Sequence, residues 1–168
     1  MNMLIAMAIS TLLVFLSVLI HYESLRVTDR LLPHIHIAPR LRMLVVISGV
    51  FIAHTLEVWL HALAFYVLAN HLNLGGFGGV FGAAFKDYLY FSTVTYTSLG
   101  FGDVYPVGDL RLIAGVETLT GLLMITWSAS YTYLAMEKFW PLHREWGGLD
   151  RRRTPGVDSA DRRGTDRP

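Results

Sequence analysis

The feature that most constrains this chain is a set of three long apolar runs almost free of charge. Met3 to Ile20 contains no charged residue. Met43 to Ala69 is interrupted only by His54, Glu57 and His61, and Leu112 to Met136 only by Glu117. About 20 consecutive apolar residues suffice for a helix to cross the hydrocarbon of a bilayer, so each run predicts a transmembrane helix. Only 16% of the residues are charged, against ~25% in soluble domains. The expected class is therefore an all-α membrane protein. A cleaved leader is not expected from the first run, because no basic residue precedes it and the arginines follow it.

Lys and Arg set the orientation. The linker 21–42 holds Arg26, Arg30, Arg40 and Arg42, and the segment 137–168 is rich in arginine, whereas Met43 to Met136 holds only Lys86 and Arg111. The linker and the tail are expected on the cytoplasmic side, and the amino terminus outside. The tail has almost nothing to bury and is expected to be disordered. There is no cysteine, which excludes disulfide and thiolate-metal frameworks. A net charge of +1 gives no pointer to nucleic acid.

Between the second and third spans lies a fourth apolar and aromatic stretch, Val80 to Ser98, broken by Lys86 and Asp87. These charges argue against a full crossing. The glycine turn that follows predicts a re-entrant segment, helix inward and extended backbone outward, which at membrane depth requires cover by protein or a watery cavity. The upstream stretch "NLGGFGGVFG" lacks the Gly-Lys-Ser/Thr and strand–turn–helix context of a nucleotide loop and reads as a flexible outer turret.

From Phe91 the chain runs "FSTVTYTSLGFGDVYP". This resembles the pore loop of the potassium-channel superfamily, whose filter reads Thr-Val-Gly-(Tyr or Phe)-Gly-Asp. Ser98, Leu99, Gly100, Phe101, Gly102 and Asp103 stand at those six positions, and Tyr105–Pro106 is a common companion. The resemblance covers the region from the second span to the third and implies a homotetramer in a lipid bilayer of the cell membrane. It implies three transmembrane helices plus a re-entrant pore helix and selectivity filter per subunit. The implied organisation is a first span at 1–20, a linker at 21–42 and a pore domain at 43–136. Within the pore domain the outer helix takes 43–70, the pore helix 83–97, the filter 98–103 and the inner helix 110–136.

In such a filter, backbone carbonyls replace the water of potassium, and glycine permits the positive φ angles that aim them. The resemblance implies K+ ligation by the carbonyls of Ser98, Leu99, Gly100 and Phe101, with the Ser98 hydroxyl innermost. It implies that Phe101 packs its ring outward against the pore helix and that Asp103 sits at the outer mouth, fixing the loop. No cofactor is implied beyond the permeant K+. Threonine is usual where Ser98 stands, and valine or isoleucine where Leu99 stands, which keeps a weakly selective K+/Na+ pore as the alternative.

Other polar residues in the spans carry open readings. Gly121 stands near the family's hinge position and also suits close helix packing. Thr118, Gly121, Ile125, Ser128 and Thr132 share one face of the third span, and a small rotation would present Leu122, Ile125 and Ala129 to a cavity instead. Glu117 is an intramembrane acid and hence a candidate for modulation. His54, Glu57 and His61 share one helix face at i, i+3 and i+7. A metal site, a proton sensor and an interhelical hydrogen-bond network all fit that face. A membrane-embedded metalloenzyme built on it is the reading from another functional class. His61 and Glu117 are expected at matching depth, where they could pair.

Overall fold

The computed structural model describes residues 2–35 and 38–139. Residues beyond 139, and with them nearly all of the expected tail 137–168, lie outside the described residues. Three helices are long and apolar enough to span a membrane. These are α1 (Asn2–Leu31), α2 (Pro39–Asn70) and α4 (Leu110–Phe139), with the shorter α3 (Phe85–Tyr96) between the last two. The chain is a multi-pass membrane protein by this pattern.

The cores show how the helices run. Ala6 and Leu13 of α1 pack with Phe65 and Leu68 of α2 and with Leu110, Ile113 and Ala114 of α4. Toward the other end, Leu32 packs with Val46 and Ala135. α2 is thus antiparallel to both α1 and α4, and the start of α1 lies at the same end of the bundle as the start of α4.

Helix α1 does not stop at Ile20. It continues to Leu31 and passes into a short 3-10 turn, Leu32–His34, so most of the expected linker 21–42 is helix. The reason is packing. His21, Leu25, Thr28 and Leu32 are all buried and recur at helical spacing, while Arg26 and Arg30 stay exposed. The basic residues that suggested a linker occupy the outer face of a helix whose inner face is still needed.

The glycine-rich stretch is not a flexible turret. Gly75–Gly79 forms strand β1, paired antiparallel with β2 (Val104–Gly108) in the register Gly75↔Gly108 to Gly79↔Val104. The all-α expectation therefore gains a two-stranded sheet. The one large side chain of β1, Phe77, explains why glycines can hold a strand here. The ring stacks on Phe81 at 4.8 Å and meets Phe91 and Tyr88 edge-on at 4.9 and 5.4 Å. Such aromatic pairs are worth about 0.5–1.5 kcal/mol each beyond the area they bury.

The short helix α3 lies within the expected span 83–97. Asp87 begins it: its Oδ2 accepts the Ala84 N–H at 3.0 Å, which satisfies one of the donors a helix start leaves free and places a carboxylate at the positive end of the dipole. The charge that argued against a crossing is thus a cap.

Candidate functional site

The segment after α3 turns sharply. Thr97 N–H donates to the Thr93 carbonyl at 3.2 Å, Ser98 N–H to the Thr95 carbonyl at 3.0 Å, and Gly100 N–H to the Val94 carbonyl at 3.1 Å. Ser98, Gly100 and Gly102 have φ of 60°, 52° and 81°, whereas Leu99 and Phe101 do not have positive φ. Handedness therefore alternates residue by residue. A backbone alternating between left- and right-handed conformations turns successive carbonyls toward one side, where a uniform strand would alternate them between two. Gly100 and Gly102 adopt positive φ without a Cβ penalty. Ser98 does so at a cost of about 1–2 kcal/mol, which the three bonds that end α3 hold in place.

The far side of the turn is tied down as well. The Tyr90 hydroxyl donates to Asp103 Oδ2 at 2.8 Å, and the Val80 N–H donates to the Asp103 carbonyl at 2.8 Å. β2 begins at the next residue. The expected outward packing of Phe101 on the helix of its own chain is not made: Phe101 is 66% exposed and Leu99 57% exposed.

Behind α3 lies a buried polar cluster. Glu57 is completely buried. Its Oε1 lies 2.9 Å from His21 Nδ1, and its Oε2 accepts a bond from the Tyr96 hydroxyl. His54 Nδ1 meets the same hydroxyl at 2.8 Å. Ser128 Oγ lies 3.1 Å from His21 Nε2 and 3.0 Å from His54 Nε2. The links close on themselves in the order Glu57, His21, Ser128, His54, Tyr96 and back to Glu57, so one ring of side chains joins α1, α2, α3 and α4.

Two sequence expectations change here. His61 is not part of the cluster: its Nδ1 is bonded to the Glu57 carbonyl of its own helix at 2.9 Å. Nor do His61 and Glu117 pair. Glu117, fully buried, accepts a hydrogen bond from the Ser92 hydroxyl of α3, a hydroxyl that also lies 2.9 Å from the Val58 carbonyl. Sequence reasoning missed His21, Tyr96 and Ser92, and it placed Ser128 on a possible cavity face where the structure puts it between His21 and His54. For His21 the signal was present in the His21–Leu25–Thr28–Leu32 spacing. For the others only the three-dimensional packing brings the partners together.

On α4, Gly121 is buried and lies against the Tyr96 backbone: a Cβ there would run into the Tyr96 carbonyl and ring. Ser128 is buried in the ring. The face carrying Gly121 and Ser128 thus faces α3 and α1, while Leu122 and Ile125 are exposed in the single chain.

The three spans, the short helix between the last two and the strained turn at its end define a mostly helical multi-pass membrane protein. Residues 43–138 match a family model described as "Ion channel". The match covers more than half of the chain, and the chain belongs to that family, the two-helix ion-channel domain of the potassium-channel superfamily. The family is one of channels rather than enzymes, which sets aside the metalloenzyme reading of His54, Glu57 and His61. α1 precedes the matched region. No curated protein and no solved structure matches the chain.

Proposed function

We infer that the chain is the pore subunit of a potassium-selective channel, with four copies around one axis. α3 is the pore helix, residues 98–103 are the filter, and α2 and α4 are the outer and inner helices. The observation that carries this reading is the alternation of φ at Ser98, Gly100 and Gly102, the conformation a row of carbonyls needs in order to face one line. Carbonyls of Ser98, Leu99, Gly100 and Phe101 then replace the hydration shell of K+, and Asp103 holds the outer mouth. The α3 dipole, negative at its carboxyl end, favours a cation beneath the filter. Leu99 and Phe101, exposed in one chain, find cover against neighbouring copies. The arginine-bearing end of α1, the start of α2 and the basic tail face the cytoplasm, which puts the amino terminus outside.

Glu117 braces the filter from behind through Ser92, and His54 and Glu57 hold the base of the pore helix through Tyr96. Gly121 serves close packing beneath it. Ser98 and Leu99, in place of threonine and a β-branched residue, favour a second reading of the same pore, weak discrimination between K+ and Na+.

Liposomes holding the purified protein under a tenfold K+ gradient balanced by Na+ separate the two. The reversal potential should follow K+, at about 59 mV per tenfold gradient. A potential near zero selects the weakly selective pore, and no cation flux ends the channel reading. Native mass spectrometry in detergent should give four copies, and a stable monomer or dimer would remove the architecture.

A further inference from the structure

The ring behind α3 has a chemistry the pore does not require. Both imidazoles turn Nδ1 toward the Glu57 carboxylate: His21 Nδ1 lies 2.9 Å from Oε1, and His54 Nδ1 lies 3.5 Å from Oε2. One ligand atom from each of the three residues lies within 4.8 Å of the others. The Tyr96 oxygen is a fourth candidate, 2.8 Å from His54 Nδ1 and bonded to Glu57. Four atoms bound tetrahedrally at the ~2.0–2.1 Å typical of zinc sit roughly 3.3–3.4 Å apart, a spacing the cluster brackets. On the far side, both Nε2 atoms meet the same hydroxyl, Ser128 Oγ. A serine oxygen has two lone pairs, so in a filled site it can accept an N–H from each ring, which frees both Nδ1 lone pairs for the ion. This is the outer arrangement that orients histidine ligands. His54 and Glu57 are an i, i+3 pair on one helix, a spacing from which helix bundles build metal sites.

We propose that His21, His54, Glu57 and Tyr96 form a four-coordinate site for a divalent transition-metal cation of the zinc class, which fastens α1 to the pore domain directly behind the filter helix. Two imidazoles with carboxylate and phenolate oxygens suit such a borderline cation better than Ca2+ or Mg2+, which prefer all-oxygen shells. Charge supports the same choice. The Glu57 carboxylate and an ionised Tyr96 balance the two positive charges while both histidines remain neutral, so the filled site carries no net charge at membrane depth, where an uncompensated ion is costly. One proton leaves as the ion enters, that of Tyr96; a proton on either Nδ1 moves to the Nε2 of the same ring, where Ser128 Oγ accepts it. His54, with 20% of its side chain exposed, is the open side, and the other two residues of the trio are closed off completely. The site goes beyond the channel reading, because His21 lies outside the region shared with the family.

The test uses the whole chain in detergent, with any affinity tag removed, stripped by chelator and then incubated with zinc and desalted. Wild-type protein should retain about one zinc per chain. His21→Gln and His54→Gln should each lower affinity by about 10–100-fold, and His61→Gln should leave it unchanged. Cobalt(II) in place of zinc should give the intense visible bands of four-coordination in wild type and lose them in His21→Gln. Zinc should also raise the melting temperature of wild type, a readout that needs no variant to fold. Wild-type protein that retains no zinc and shows no thermal shift overturns the proposal. So does His21→Gln that binds as tightly as wild type, or loss of binding in His61→Gln. Ion flux enters none of these readings, so failure of the metal site and failure of the channel reading are separate results.

Discussion

Gly102→Ala should abolish selective potassium flux while leaving the assembled protein intact. The residue sits at φ of 81°. Alanine in that region costs about 1–2 kcal/mol, which an ordinary loop would tolerate. The added methyl would meet no neighbour within 4 Å in its own chain, so the penalty inside one subunit is conformational only. In the proposed tetramer the same strain would appear in every copy, and a methyl group would be brought to the ion path each time. The backbone relieves the strain by rotating toward negative φ, which turns a carbonyl out of the row. Membrane packing rests on α1, α2 and α4, which the change does not touch. The measurement is paired K+ and Na+ flux in liposomes beside size exclusion of the same sample. Unaltered flux and selectivity in an intact Gly102→Ala tetramer would reduce the stretch to a simple connecting loop.

Gly121→Val should cost the most stability of any single change discussed. A glycine in the middle of an exposed helix is worth about 1 kcal/mol less than alanine, so a pure hinge would gain stability when filled. Here a Cβ runs into the Tyr96 carbonyl and ring. The obstacle is backbone, which cannot swing aside as a flexible side-chain tip would. Over-packing costs about 1–3 kcal/mol, and a β-branched side chain against backbone falls at the upper end. At roughly 2–4 °C per kcal/mol for a chain of this size, the melting temperature in detergent should fall by about 6–12 °C. Because Tyr96 also closes the ring with Glu57 and His54, the same variant should disturb conduction. A hinge role predicts the opposite pattern, with unchanged or raised melting temperature and altered opening alone.

How much could be read without coordinates depended on the range of the interaction. The three spans follow from local composition, and hydropathy is a property of a window. The turn was legible because positive φ leaves a local mark, glycine at alternate positions. Asp87 was visible as a charge, although its role as a cap needed the helix start to be known. The strand Gly75–Gly79 was hidden, since glycine is depleted in strands and its pairing partner lies beyond α3. His21 was hidden for a related reason. Its carboxylate partner stands on another helix, and the arginines that follow it belong to the exposed face of the same helix. His61 misled because shared spacing along α2 is not a shared destination: the ring gathers residues from four helices, and His61 bonds the Glu57 carbonyl one turn back on its own helix.

The antiparallel pairing of β1 with β2 has one more consequence. The strands flank α3 and its turn in the sequence, and Gly79 pairs with Val104, so everything between them is a loop whose two ends are sewn together. The hydrogen bonds that hold Ser98, Gly100 and Asp103 in place, from Thr95, Val94, Tyr90 and Val80, also come from inside that loop. The unusual backbone is therefore tied by hydrogen bonds from its own chain. If four copies assemble as proposed, each brings a turn already tied, and assembly becomes the docking of prefabricated parts.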